Sequence, residues 1–469
     1  MMQKRKLLQI PRGDWSLPLS GYLQSSRLGI CWANNRENGD QAASFSLLEM
    51  DVDHDTMLNR TSFPCPCSAL EALRLTYDLS KQQWLLARIE GFQNRVPSRL
   101  VLSFIPATNR FLSGSSLLID EAADNMTDIG PLLLVDGANT VASMLYLKPE
   151  RDDLQSPTVY LTRVREQGVE EQLVCEAIAD ADKALGCLSN EHSLLLACRP
   201  EYGELAEQEE GFVGATAQWR MLMMGWKRDE AKALWSYSPP IGLPVGDRAN
   251  PETDFEWLRV AADAVAGPTL SESGRQTFVV AMVLLDTFDY QAHGYTLEDE
   301  ERIRKNVQLF CCIDTRGEIV QVCQSQIGLH VRLCQIAGTV VGVDFFDARR
   351  RLWNWFPLMK ETVLHTVIEL DPEIIRVSVV AGQPEGEHQE SYFWLLEEYS
   401  DSVKVSKRDA ITLAELAPTM ILNNTKLLSK QTGWRDLKRD MPLLTIAYCN
   451  TLLTLGMDKD EQLVLYQIG

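Results

Sequence analysis

Short apolar runs separated by turn residues recur along this chain at a nearly constant interval, and that interval limits the folds open to it. The clearest copy is the terminal "LLTIAYCNTLLTLGMDKDEQLVLYQIG", Leu443 to Gly469, in which Asn450 and the polar "DKDE" divide three runs. Each run is about the length of a ~5–6-residue strand. The layout returns in "VRLCQIAGTVVGVDFFDARRRLWNWF", "PLLLVDGANTVASMLYLKPERDDLQSPTVYLTRV", "ALRLTYDLSKQQWLLARIEGFQNRVPSRLVLSFI" and "GYLQSSRLGICWANNRENGDQAASFSLLEMD". A further copy is "GCLSNEHSLLLACR", joined through an acidic loop to "AQWRMLMMGW". The second run of successive copies begins near Leu28, Trp84, Val141 and Leu194, at separations of 56, 57 and 53 residues; Val340 and Leu452 lie 112 apart, two such periods. A weaker, more polar fourth run closes each of the first copies: "MLNRTSF", "GSSLLI", "QLVCEA" and "ALWSYS".

Four strands per unit at a period slightly above 50 residues is the pattern of a propeller blade rather than of a helical solenoid. On these segments the chain resembles the β-propeller superfamily over nearly its whole length. It lacks the regular "GH" and "WD" pairs of WD40 repeats and the double-glycine strands of kelch repeats, so the resemblance implies an architecture and no particular activity. The expected fold is all-β: a β-propeller of seven, or eight, four-stranded blades, forming a single ring over residues 1–469. The terminal meander, 443–469, has three strands, and "KLLQI", Lys6 to Ile10, is an unassigned strand ahead of the first blade. Pairing these two would cover an exposed edge and close the ring.

Residues 250–306 break the period. In "NPETDFEWLRVAADAVAGP", Thr253 and Glu256 form a capping box, Trp257, Ala261 and Val265 suit one helical face, and Gly267 and Pro268 read as a stop. "YTLEDEERIRKN" suggests a second helix from near Thr296, and "SGRQTFVVAMVLLDTF" fits helix or strand. The expectation is a small helical insertion in or before a fifth blade, followed by a hairpin about Asp314 to Gly317.

A formal charge of −20 makes nucleic acid and anionic membranes unfavourable partners for most of the surface. The basic runs are short, "KRK" at Lys4 to Lys6 and "RRR" at Arg349 to Arg351, and "ELAEQEEG", ending at Gly211, reads as a solvated loop. Eleven irregularly spaced cysteines do not form a disulfide framework; Cys187, Cys198, Cys311, Cys312 and Cys449 sit in apolar runs, as buried thiols do. Together with the short apolar stretch behind "KRK", this points to a cytoplasmic protein.

Few motifs carry chemistry. "DVDHDTMLN" sets Asp51, Asp53, Asp55 and Asn59 at a spacing similar to the calcium loops of integrin-type propellers. Thr56 replaces the expected glycine and no second copy occurs, so a polar hairpin turn is the preferred reading. "CPC", Cys65 to Cys67, offers two thiolates without a second Cys or His pair at zinc spacing, and adjacent Cys311 and Cys312 would face opposite sides of a strand. His330 and His365 lie in apolar runs, read as core or edge residues; His54, His293 and His388 lie in polar loops. Trp219, Trp226, Trp235, Trp353 and Trp355 suit either a binding surface or the wedge between blades, and packing is preferred. No Walker loop, HExxH pair or nucleophile elbow is present. No catalytic residue, metal or cofactor is assigned. The first strands "LRLTY", "LLLVD", "RLCQI" and "LLTIA" are largely apolar, which favours a non-catalytic scaffold for one or more protein partners in a cytoplasmic complex. The alternative is a hydrolase or lyase acting at the central channel.

Overall fold

The computed structural model describes residues 2–34, 43–92, 98–107, 115–120, 133–134, 142–148, 158–165, 167–175, 185–189, 192–202, 217–227, 230–237, 257–286, 294, 296–298, 307–314, 316, 318–324, 328–346, 348–358, 364–382, 391–432, 439–442 and 444–469. Period-two alternation and turn residues organise these into consecutive antiparallel meanders. Among the described residues, seven four-stranded sheets follow one another, over 16–64, 69–120, 133–175, 185–237, 257–324, 329–369 and 376–423, each with its strands in sequence order. The last strand of each is the most exposed where side chains are described, as in Thr56–Pro64 and Thr366–Glu369.

The closing sheet differs. Thr451–Asp458 pairs with Leu463–Ile468 on one side, and on the other with both Thr445–Tyr448 and Thr425–Leu427. Lys4–Ile10 completes it from the opposite end of the chain, antiparallel to Leu463–Ile468, with Lys4 opposite Ile468 and Ile10 opposite Leu463. The Lys4 ammonium lies 4.7 Å from the centre of the Tyr466 ring. A two-stranded ribbon, Ser429–Thr432 with Arg439–Pro442, projects between the two inner segments.

Contacts between sheets make this a β-propeller. The first strand of the first sheet packs against that of the second, and the same holds for second and third, fourth and fifth, fifth and sixth, sixth and seventh, and seventh and closing sheets. The apolar core is divided into wedges along these seams. Cys31, Phe45 and Leu47 of the first sheet meet Leu73, Leu75 and Trp84 of the second. Val279 and Phe310 of the fifth meet Val340, Trp353 and Trp355 of the sixth. Trp394 and Val405 of the seventh meet Leu452 and Tyr466 of the closing sheet. Leu453 and Leu465 of the closing sheet meet Leu19 and Leu28 of the first. Burial of both sheet faces in this way is the main favourable term, at roughly 25 cal/mol per Å² of apolar surface.

The helix expected over 250–306 requires correction. Trp257–Ala266 is a strand, the innermost of the fifth sheet, paired along its length with Thr277–Asp286. The spacing by four of Trp257, Ala261 and Val265 is compatible in sequence with either period, and in the structure a bulge between Arg259 and Ala261 interrupts the alternation of this strand. The capping-box residues Thr253 and Glu256 lie outside the described residues. At the second expected helix, Leu297 and Glu298 are helical and 299–306 lie outside the described residues. Asp314 ends its strand and turns the following hairpin, its Oδ1 accepting from the amides of Arg316 and Glu318 at 2.8 and 2.9 Å.

Candidate functional site

Within each meander, the connections between second and third strands leave from one end, together with those leading to the next sheet; the remaining turns lie at the other end. The short segment joining the first sheet to the second, between Pro64 and Ala69, lies at the connection end. It is pinned by two backbone bonds to Ala43: the Cys65 amide donates to the Ala43 carbonyl at 2.7 Å, and the Ala43 amide to the Cys67 carbonyl at 3.0 Å. The chain bends through Pro66, Cys67 and Ser68, and both cysteines are buried in the first wedge. Glu90, near the end of the second strand of the second sheet, brings its carboxylate to the same point. The two sulfurs and a Glu90 oxygen all lie within 4.8 Å of one another.

Arg88 organises this cluster. Its Nε donates to Glu90 Oε1 at 2.7 Å, and its Nη1 donates to Ser103 Oγ. The Cys67 thiol donates to the Cys65 sulfur, which holds Cys65 below the ordinary thiol range against its burial, with help from the Arg88 guanidinium. The same bond, with burial, pushes Cys67 up. Elsewhere burial moves thiols the other way: Cys31, Cys311 and Cys334 are pushed up to about 12 and Cys312 to about 11. The two cysteines are legible in the sequence as "CPC"; Glu90 is missed there, because pairing between strands brings it in from 23 residues beyond Cys67.

The aspartate-rich turn lies at the opposite end and is a seam. Asp51 Oδ1 accepts from the amides of Asp53 and His54, and Oδ2 lies 3.1 Å from His54 Nδ1. Burial would raise the Asp51 carboxyl, but these bonds from His54 and Asp53 bring it below its ordinary value. Asp53 Oδ1 accepts from the Tyr448 hydroxyl at 2.6 Å, and Asp55 pairs with Arg5. Asn59 accepts from Thr61 at 3.1 Å. The four oxygen-bearing side chains thus engage different donors, two of which belong to the closing sheet. Burial and the Asp53 carboxylate push the Tyr448 phenol up.

On the innermost strands, buried polar groups tie neighbouring sheets together. Ser20 Oγ accepts from the Leu75 amide at 3.1 Å, and Asp263 Oδ2 from the Leu333 amide at 2.8 Å. Trp353 and Trp355 are fully buried against Phe310. The side chains of Trp219, Trp226, Trp235 and His330 lie outside the described residues, as do His293 and His388. His365 is exposed, with its ring edge-on to Phe356. Cys311 and Cys312 are consecutive on Val307–Asp314 and both buried, with Cys312 in the fifth–sixth wedge. The "RRR" run is internally paired: Arg349 with Glu369, Arg350 with the carbonyls of Ile374 and Ile375, and Arg351 with the buried Asp344. Among the described residues, no helix is long and apolar enough to cross a membrane.

No protein-family model matches the chain, and no curated protein matches its sequence. Similar solved structures include the β-propeller domain of the Trilobed protease from Pyrococcus furiosus, 9% identical, covering 84% of this chain and 96% of that one at a TM-score of 0.37. A eukaryotic initiation factor is 10% identical, with coverages of 87% and 97% and a TM-score of 0.35. An acylaminoacyl peptidase from Pyrococcus horikoshii is 8% identical, with coverages of 96% and 59% and a TM-score of 0.35. At these scores the likenesses add no argument to the fold read from strand pairing and seams.

Proposed function

We propose that this protein is a non-catalytic interaction scaffold whose protein partners dock at the connection end of the first five sheets, within a cytoplasmic complex. One observation carries this reading. In those five sheets the segments between second and third strands are 34–43, 92–98, 149–157, 203–216 and 287–306, whereas in the sixth, seventh and closing sheets they are 347–348, 399–401 and 459–462. Extra chain on a rigid framework is where binding residues concentrate, because the scaffold positions it at little cost to stability. Segment 203–216 contains four carboxylates and no Lys or Arg, which favours partners with basic surfaces. Engagement of Ser20 and Asp263 by neighbouring backbone amides supports a structural rather than a chemical use of the innermost strands.

The test is affinity purification of the full chain from its host beside a variant in which 203–216 and 287–306 are each replaced by a two-residue Asn-Gly turn. The scaffold reading expects specific proteins on the wild type, salt-sensitive and lost from the variant, with unchanged thermal unfolding. Recovery of the same proteins by both chains, or of none by either, overturns it.

A further inference from the structure

We infer that Cys65, Cys67 and Glu90 form a binding site for a zinc-class divalent cation at the junction of the first and second sheets. This goes beyond the scaffold reading and stands independently of it. Among the described residues, these three are the one grouping of Cys, His, Asp or Glu whose donor atoms all lie within 4.8 Å of each other. Donors bound at ~2.0–2.3 Å to one tetrahedral ion must stand about this close together. All three residues are buried, at 2%, 4% and 2% exposure, unlike surface carboxylates that gather by chance.

The backbone fixes the donors. Bonds to Ala43 clamp both sides of Pro66, so the two thiols hold their separation without help from an ion. Glu90 stands on a strand paired on both sides, opposite Leu70 and Arg99. Such a site loses little chain entropy on binding.

Charge then selects the ligand. Two thiolates and a carboxylate carry three negative charges, Arg88 contributes one positive charge at Glu90, and a divalent cation makes the buried ensemble neutral. A monovalent or trivalent ion would leave net charge inside the wedge, which is costly. Arg88 also has the place of an outer partner that orients a ligating carboxylate, itself held by Ser103. Sulfur donors favour zinc over magnesium or calcium. On binding, each thiol releases its proton to solvent, two S–metal bonds and one O–metal bond form, and water takes the fourth tetrahedral position. The ion would brace the inter-sheet junction against the second strand of the second sheet.

The test uses the full chain, reduced and stripped of metal, titrated with Co²⁺ and then Zn²⁺. The expected result is a sulfur-to-cobalt charge-transfer band with tetrahedral d–d bands, saturating at one ion per chain and abolished by Zn²⁺. Glu90→Gln should keep the band and weaken affinity by about tenfold or more, the double variant Cys65→Ser/Cys67→Ser should lose it, and Cys311→Ser should retain it. Because the double variant places two hydroxyls in a buried wedge, a second measurement on the wild type stands beside it: alkylation with and without Zn²⁺, mapped by peptide. Zinc should protect Cys65 and Cys67 specifically. Absence of the charge-transfer band from the reduced wild type, or protection falling on other cysteines, overturns the site.

Discussion

In the first five sheets the connection between second and third strands runs from seven to twenty residues, while in the sixth, seventh and closing sheets it runs from two to four. Where side chains are described, the wedges beneath do not register this difference. Trp84, at the seam of the first two sheets, and Trp353, at the seam of the fifth and sixth, are both buried in apolar clusters of the same make. A glycine admits each ring. A Cβ on Gly29 would stand 2.5 Å from the Trp84 ring, and one on Gly342 2.1 Å from that of Trp353. The physical reason is that loop closure costs only about 0.6 kcal/mol more per doubling of length, so added chain at one end does not propagate into packing. Core and connections are therefore separable in this molecule, and four experiments probe that separation.

The largest effect belongs to the closing sheet, which has no counterpart among the first five. Deleting residues 2–10 removes the buried Ile10 and half-buried Leu7 and Leu8 and bares the edge of Leu463–Ile468. A loss of about 5 kcal/mol or more is expected in urea unfolding, with self-association through the bared edge. An unchanged midpoint would show that the closing sheet needs no outer strand. Next, Trp84→Ala and Trp353→Ala should each cost about 3–5 kcal/mol, and Gly29→Ala and Gly342→Ala about 1–3 kcal/mol each through overpacking. Trp353→Phe should cost less than Trp353→Ala, since it keeps most of the ring and removes an indole N–H that has no partner among the described residues. Strongly unequal losses at the two seams would break the equivalence of the wedges.

A smaller effect is expected at the connections. Replacing 203–216 alone by Asn-Gly should leave unfolding within about 1 kcal/mol of wild type; a larger loss would mean that this segment belongs to the core. The smallest effect concerns pH. Burial raises the Glu397 carboxyl in the seventh sheet, against the pull of Arg408 and Lys404. A folded-state value above the unfolded one contributes stability below the ordinary carboxylate range, and this contribution is lost as pH rises through the raised value. Relative to wild type, Glu397→Gln should gain stability from pH 4 to pH 7, read as a change in the slope of the unfolding midpoint against pH.

Much of this fold is legible in the sequence because a meander is a local object. Asn450, Ala337–Gly338 and Asp314 each end a run where the structure turns. The fifth sheet is the instructive exception. Ala261, Ala262, Ala264 and Ala266 favour a helix on intrinsic grounds, and spacing by four satisfies both periods. Pairing with Thr277–Asp286, and the bond from Asp263 to Leu333, decide for a strand. The thiol–carboxylate cluster was half legible for a similar reason: "CPC" is contiguous, whereas Glu90 and Arg88 arrive through register. Likewise, the aspartate turn resembles a cation loop until Tyr448 and Arg5, remote in sequence, occupy Asp53 and Asp55.

Antiparallel pairing of Lys4–Ile10 with Leu463–Ile468 sets a clock on biosynthesis. Lys4–Ile10 is made long before the strand it pairs with, and at a synthesis rate of ~5–20 residues per second it waits roughly 20–90 s while the intervening sheets emerge. During that interval the early sheets can assemble in order along the chain, each wedge forming as its second wall arrives. Completion of the closing sheet cannot precede translation of Ile468, so a ribosome stalled between the two strands holds a stack in which Lys4–Ile10 is unpaired.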